Sequence, residues 1–118
     1  MRPTDAEKGR FLMKLTIDTT GKTFTVTKAV EEKKDQNGRQ KADRNTNELL
    51  WSVQVMALDE TGGEVINVTL AGNAMPKVNV GAVVVPVELE AMPWATNGRN
   101  GVAYRAKTLN PATGSAKS

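Results

Sequence analysis

The sequence predicts an all-β protein built as a single domain. Two observations carry the prediction. From Met13 onward apolar residues recur at every second position through successive segments, the period of a strand with one buried face. Between those segments lie short runs of glycine, asparagine, aspartate and proline, the residues that turns require. At 118 residues the chain has the length of one domain, with residues 1–10 and 111–118 expected to be flexible ends around a folded 11–110.

Met13, Leu15 and Ile17 alternate with Lys14 and Thr16 and read as a strand, after which Asp18 to Gly21 supplies a break. Phe24 and Val26 then alternate with Thr23, Thr25 and Thr27, whose β-branched side chains favour a strand. The two pieces read as one long strand bent at Gly21, since glycine inside a strand pattern marks a bulge or corner. Residues 31–48 hold a single apolar residue, Ala42, and are expected to stay outside the core. They read as a protruding hairpin with a type I′ turn at Asn37-Gly38 and with Lys33, Lys34, Arg39, Lys41 and Arg44 along its arms.

Trp51, Val53, Val55 and Ala57 give the next strand its buried face, Asp59 to Gly63 turns the chain, and Ile66, Val68 and Leu70 bring it back as a hairpin partner. The connection 72–81, around Pro76, has room for no more than a turn of helix, with Val78 and Val80 expected to dip into the core. In Ala82–Ala91 the expected core face is Val83, Val85, Val87 and Leu89, and Pro86 on the other face marks an edge or a bulge. Met92–Lys107 reads as a hairpin and Val102–Leu109 as the last strand.

Counting the bent strand once gives five strands with a long basic loop between the first two. That count and order suit the OB-fold, a five-stranded, partly open Greek-key barrel whose second and third strands and flanking loops bind oligonucleotides or oligosaccharides. An immunoglobulin-like sandwich needs about seven strands. In the order of Leu50-Trp51-Ser52-Val53-Gln54-Val55, Asn79-Val80-Gly81-Ala82-Val83-Val84-Val85 and the hairpin Trp94 to Ala106, the chain resembles the bacterial single-stranded DNA-binding proteins. Over residues 22–110 it is also similar to phage helix-destabilising proteins and to small OB proteins of actinobacterial plasmids and integrative conjugative elements. It departs from the bacterial proteins in lacking their helix between the third and fourth strands and their acidic tail. The resemblance implies non-specific binding of single-stranded DNA during plasmid, phage or conjugative-element DNA processing, and it puts Trp51 at the binding face.

With no cysteine and no histidine the chain has no disulfide framework, no zinc site of the usual ligands, no cysteine nucleophile and no serine–histidine machinery. Asp59, Glu60 and Glu64 cluster at a turn without further metal ligands, and no glycine-rich stretch has the spacing of a phosphate loop. The expectation is a protein without catalytic residues, cofactor, metal or small-molecule substrate. No apolar run approaches the roughly 18 residues of a membrane span, and Met-Arg-Pro-Thr-Asp carries no apolar leader, so a cytoplasmic location is expected. A net charge of +3 is compatible with a polyanionic partner.

The candidate site centres on the hairpin, which holds Trp94, Arg99, Tyr104, Arg105 and Lys107. Flat rings and cations together suit single-stranded nucleic acid, DNA or RNA, whose bases stack and whose phosphates are negative. Trp94 is expected to face the ligand. Trp51 is either a buried ring closing the barrel or part of the binding face, Tyr104 is either core or rim, and Phe24 reads as core. Lys33, Lys34, Arg39, Lys41 and Arg44 would add phosphate contacts from the long loop. Strand 82–91 carries apolar residues on both faces, Ala82 and Val84 as well as the Val83 series, which predicts a homodimer covering one of them. The alternative is an OB-fold protein-interaction or regulatory module of a replication or transfer complex, favoured by Glu88 and Glu90 on one strand face.

Overall fold

The alternating segments form nine strands: β1 (Leu15–Thr16), β2 (Thr23–Val26), β3 (Glu31–Glu32), β4 (Leu50–Asp59), β5 (Gly62–Ala71), β6 (Val83–Val87), β7 (Glu90–Thr96), β8 (Arg99–Arg105) and β9 (Thr108–Pro111). They belong to a computed structural model that describes residues 13–112, none of them helical. One strongly curled mixed sheet runs β1-β7-β8-β5-β4-β2-β6-β9, with β3 added on β4. The all-β class is as expected. The sheet is a half-barrel rather than a clear five-stranded closed barrel.

The centre of the sheet is the β4–β5 hairpin, paired over its whole length from Leu50↔Ala71 to Asp59↔Gly62. Its inner face is Trp51, Val53, Val55, Ile66, Val68 and Leu70, all buried, with Val53, Val55 and Val68 wholly enclosed. Phe24 and Val26 from β2, Val84 from β6, Leu109 from β9, and Leu89 and Ala106 from the corners form one cluster with these residues other than Trp51. Each such aliphatic side chain contributes about 1.5–3 kcal/mol by leaving water, so the inner face of β4–β5 anchors the sheet. Lys22 donates to Asp59 Oδ2 at 2.8 Å and ties the start of β2 to the end of β4.

Five expectations are corrected. Strand 82–91 is broken at Glu88, which adopts φ 54° and sends β6 toward β2 and β9 but β7 toward β1 and β8. Leu89 is buried as expected, but within β6 the inward residues are the opposite set: Val84 and Pro86 are buried, while Val85 is 47 % exposed. Valine on both faces leaves parity undetermined by pattern, and the pairing Phe24↔Val84 decides it. Val102–Leu109 is likewise two strands, because Ala106 and Lys107 form a corner between β8 and β9, where the Lys107 N–H donates to Val87 O at 2.8 Å. Of Met13, Leu15 and Ile17 only Ile17 packs against the core, since Met13 is 56 % and Leu15 45 % exposed. Val78 packs against the core as expected, but Val80 is 61 % exposed.

The flexible ends expected at 1–10 and beyond 112 lie outside the described residues, as do Phe11 and Leu12. Pro111 and Ala112, expected in the tail, are part of the sheet: Pro111 pairs with Val84, and the Ala112 N–H donates to Val83 O at 3.0 Å.

Candidate nucleic-acid interface

The long polar insertion folds through its own backbone rather than through a core. The Asp35 N–H donates to Arg39 O at 2.8 Å around Gln36-Asn37-Gly38, and the Asp35 carboxylate accepts from the amides of Asn37 and Arg39. Only Gly38 of the Asn37-Gly38 pair has positive φ, so the turn is a three-residue loop with glycine in the left-handed position instead of the expected type I′ turn. A second tight hairpin follows at once. The Lys41 N–H donates to Lys33 O at 2.7 Å, the Leu50 N–H to Lys41 O at 2.9 Å, and the Asp43 N–H to Glu48 O at 2.7 Å. The insertion is therefore a small meander laid along the edge of β4, with Gln40 Nε2 donating to Leu50 O.

Between this meander and the sheet runs a groove of about 680 Å³. Lys33, Lys41, Arg44 and Arg105 bring positive charge to it, Asp35 and Asp43 oppose them, and Leu50, Met92 and Ala103 supply apolar surface. Lys33 is half-buried, and that burial, with Lys41 close by, holds its amine below the usual lysine range. Crowding two ammonium groups with partial desolvation is unfavourable in the free protein, and an anion between them relieves it. Lys33, Lys41 and Arg44 make no ion pair among the described residues.

Arg105 is different. Its Nη2 donates to Asp43 Oδ2, while Asp43 Oδ1 accepts from the amides of Asn45 and Thr46 at 2.7 and 3.0 Å. These contacts, the Arg105 hydrogen bond first, lower the Asp43 carboxyl to about 2. The pair joins the second hairpin of the insertion to the end of β8 across the groove.

The β7–β8 arm extends from the same groove. Met92↔Ala103, Trp94↔Gly101 and Thr96↔Arg99 are cross-strand pairs, so Met92, Trp94, Ala103, Arg99 and Arg105 share one face. Asn97 and Gly98, at φ 48° and 79°, form the two-residue type I′ turn that closes it. Apart from Glu90, Ala91, Tyr104 and Arg105, the residues of the arm pair only with each other. Trp94 is thus on a two-stranded projection, half-buried, two positions beyond the groove-lining Met92.

The outward face of β4–β5 continues the groove. Its residues are Leu50, Ser52, Gln54, Met56 and Leu58 opposite Ala71, Thr69, Asn67, Val65 and Gly63, without a single charge. In a chain with 25 % charged residues, an exposed neutral strip beside a basic loop is suited to uncharged bases.

The expected residues fall into separate places. Lys33, Lys41, Arg44 and Arg105 meet in the groove, and Trp94 and Arg99 lie along the same face. Lys34 lines another cleft with Glu31 and Glu32, and Arg39 is exposed beside the first hairpin loop. Lys107 shares a third cleft with Glu48, Glu88, Glu90 and Arg105. Trp51 is 7 % exposed and its Nε1–H donates to Gly72 O at 2.8 Å, so its ring closes the core. Phe24 is core at 2 % exposure. Tyr104 points to the opposite face from Arg105, packs on the core and borders a 410 Å³ pocket with Ile17, Phe24 and Leu89; burial raises its hydroxyl pKa. Asp43, Gln40 and Met92 also line the groove and Gly101 lies opposite Trp94 on the arm, none of them among the candidates read from the sequence. For Gly101 a signal existed: it lies as far after the Asn97-Gly98 turn as Trp94 lies before it.

Compared with known proteins, the chain matches no protein-family model, no curated protein and no solved structure.

Proposed function

We propose that the protein binds single-stranded nucleic acid, DNA first, without catalysis and with little sequence preference. The observation that carries the reading is the groove in which Lys33, Lys41, Arg44 and Arg105 converge beside the uncharged outer face of β4–β5 and the Trp94 arm. In this reading phosphates lie along the insertion, and bases lie on the neutral strip and on Trp94. Service to plasmid, phage or conjugative-element DNA processing in the cytoplasm remains the biological use that the sequence resemblance suggests.

An OB topology is part of the proposal, and the ladders support it. Taking β1–β2, β6–β7 and β8–β9 each as one bent strand, β2 pairs with β4, β4 with β5, β5 with β8 in parallel, β9 with β6, and β6 with β2. Five strands, three of them bent, then follow one another in the order of that fold. In this reading the groove corresponds to the face over strands two and three, between the first and last loops, by which OB-folds take oligonucleotides.

Titration with dT oligomers across a salt series tests the reading. Each phosphate neutralised contributes about −0.7 to the slope of log affinity against log salt, so Lys33, Lys41 and Arg44 together predict a slope of about −2. A flat salt response, or tighter binding to duplex than to dT, removes the proposal. Glu88 and Glu90, which favoured a protein-interaction module, line the neighbouring cleft with Lys107 rather than the basic groove.

A further inference from the structure

We infer that Asp43 is a built-in competitor for the groove's ligand: it occupies Arg105 in the free protein, and a ligand phosphate takes the guanidinium from it. The inference rests on the reading of the groove as a nucleic-acid site. Asp43 is the one buried polar or charged residue among those described, at 7 % exposure. Its carboxylate is fully used, one oxygen by Arg105 and the other by the Asn45 and Thr46 amides. The two partners are 62 residues apart and come from opposite walls of the groove.

Arg105 stays reachable, because its side chain is 36 % exposed and its contact to Asp43 uses only Nη2 among the donors of its guanidinium. Its surroundings are acidic. Glu90 is its cross-strand partner, and Glu48 and Glu88 line the adjoining cleft with Lys107. A phosphate approaching Arg105 therefore meets Asp43 first as a like charge, and binding there exchanges one anion for another instead of neutralising a free cation. Two consequences follow: affinity is held below what four cations would give, and the Asp43–Thr46 turn is released from β8 as the groove fills.

The test is Asp43→Asn, which keeps an oxygen for the two amides and the same size but removes the charge. With dT oligomers at low salt the variant should bind about 3- to 10-fold tighter than wild type, and its salt slope should steepen by about 0.7, one more phosphate. Unchanged or weaker binding with an unchanged slope would make Asp43 a structural anchor and overturn the inference alone. Absence of dT binding by both proteins would overturn it together with the nucleic-acid reading. Amide spectra of the wild type give a second readout that needs no variant. Saturating dT should shift the Asn45 and Thr46 amide and Arg105 Nε resonances; saturation that leaves all three unmoved sinks the exchange.

Discussion

The indole of Trp94 covers Gly101 across the β7–β8 arm, so closely that a Cβ at position 101 would stand 2.7 Å from Cζ2 and 3.0 Å from Cε2. Gly101 does not have positive φ, so its lack of a side chain serves the ring and not the backbone. Gly101→Ala should therefore push the indole off the arm. The expected result is a red-shifted tryptophan emission and weaker dT binding, with little change in melting temperature because the ring sits on a projection outside the core. Unshifted emission would show that the ring does not depend on this platform.

The two tryptophans should separate cleanly. Trp94→Ala should lose about 1–3 kcal/mol of oligonucleotide affinity, the range for one stacked base, with little change in melting temperature. Trp51→Ala should instead cost about 3–5 kcal/mol of stability, because it opens the core and strands the Gly72 carbonyl that now accepts from Nε1. Fluorescence titrations of Trp51→Phe and Trp94→Phe check this: quenching by dT should survive the first substitution and vanish with the second.

Much of this arrangement was legible in the sequence where one face alone is apolar. Trp51, Val53 and Val55 against Ser52 and Gln54 leave no choice of parity, and they form β4 as read. Val83 to Val87 offers apolar residues on both faces, so the inward set depends on Phe24, a partner distant in sequence. The break at Glu88 was signalled only by Pro86 two residues earlier and that at Ala106-Lys107 by no glycine or proline, since both arise where the chain passes from one neighbour strand to another. The basic groove was readable only in part. Lys33, Lys41 and Arg44 follow from the insertion's composition, whereas the Asp43–Arg105 pair spans 62 residues and only the fold brings it together.

Acid should reveal that pair. The folded Asp43 carboxyl lies near 2 against an ordinary 3.8, so the contact stabilises the protein above about pH 4 and is lost as pH falls toward 2. Asp59, lowered by Lys22 and Thr61, acts in the same direction, so the acid limb has more than one source. Thermal melts from pH 6 to pH 2 should fall less steeply for Asp43→Asn than for wild type. Parallel curves would mean that Asp43 does not contribute to acid unfolding.

The inverted parity of β6 leaves Val83, Val85 and Val87 on the outward face, next to Thr25 of β2 and Thr108 and Asn110 of β9. None of these is charged, and Val85 is 47 % exposed, so the strip is an apolar surface without electrostatic protection against association. A two-fold contact through it would bury the valines of both copies and leave the basic groove on each subunit uncovered, since none of these residues lines that groove. We therefore expect a homodimer, with light scattering at micromolar concentration giving about twice the 12.7 kDa chain mass. Val85→Lys should yield monomers with an unchanged circular-dichroism spectrum, because a lysine at an exposed strand position keeps the fold and opposes self-association. A wild-type mass near that of one chain, unchanged on raising the concentration, would rule the dimer out.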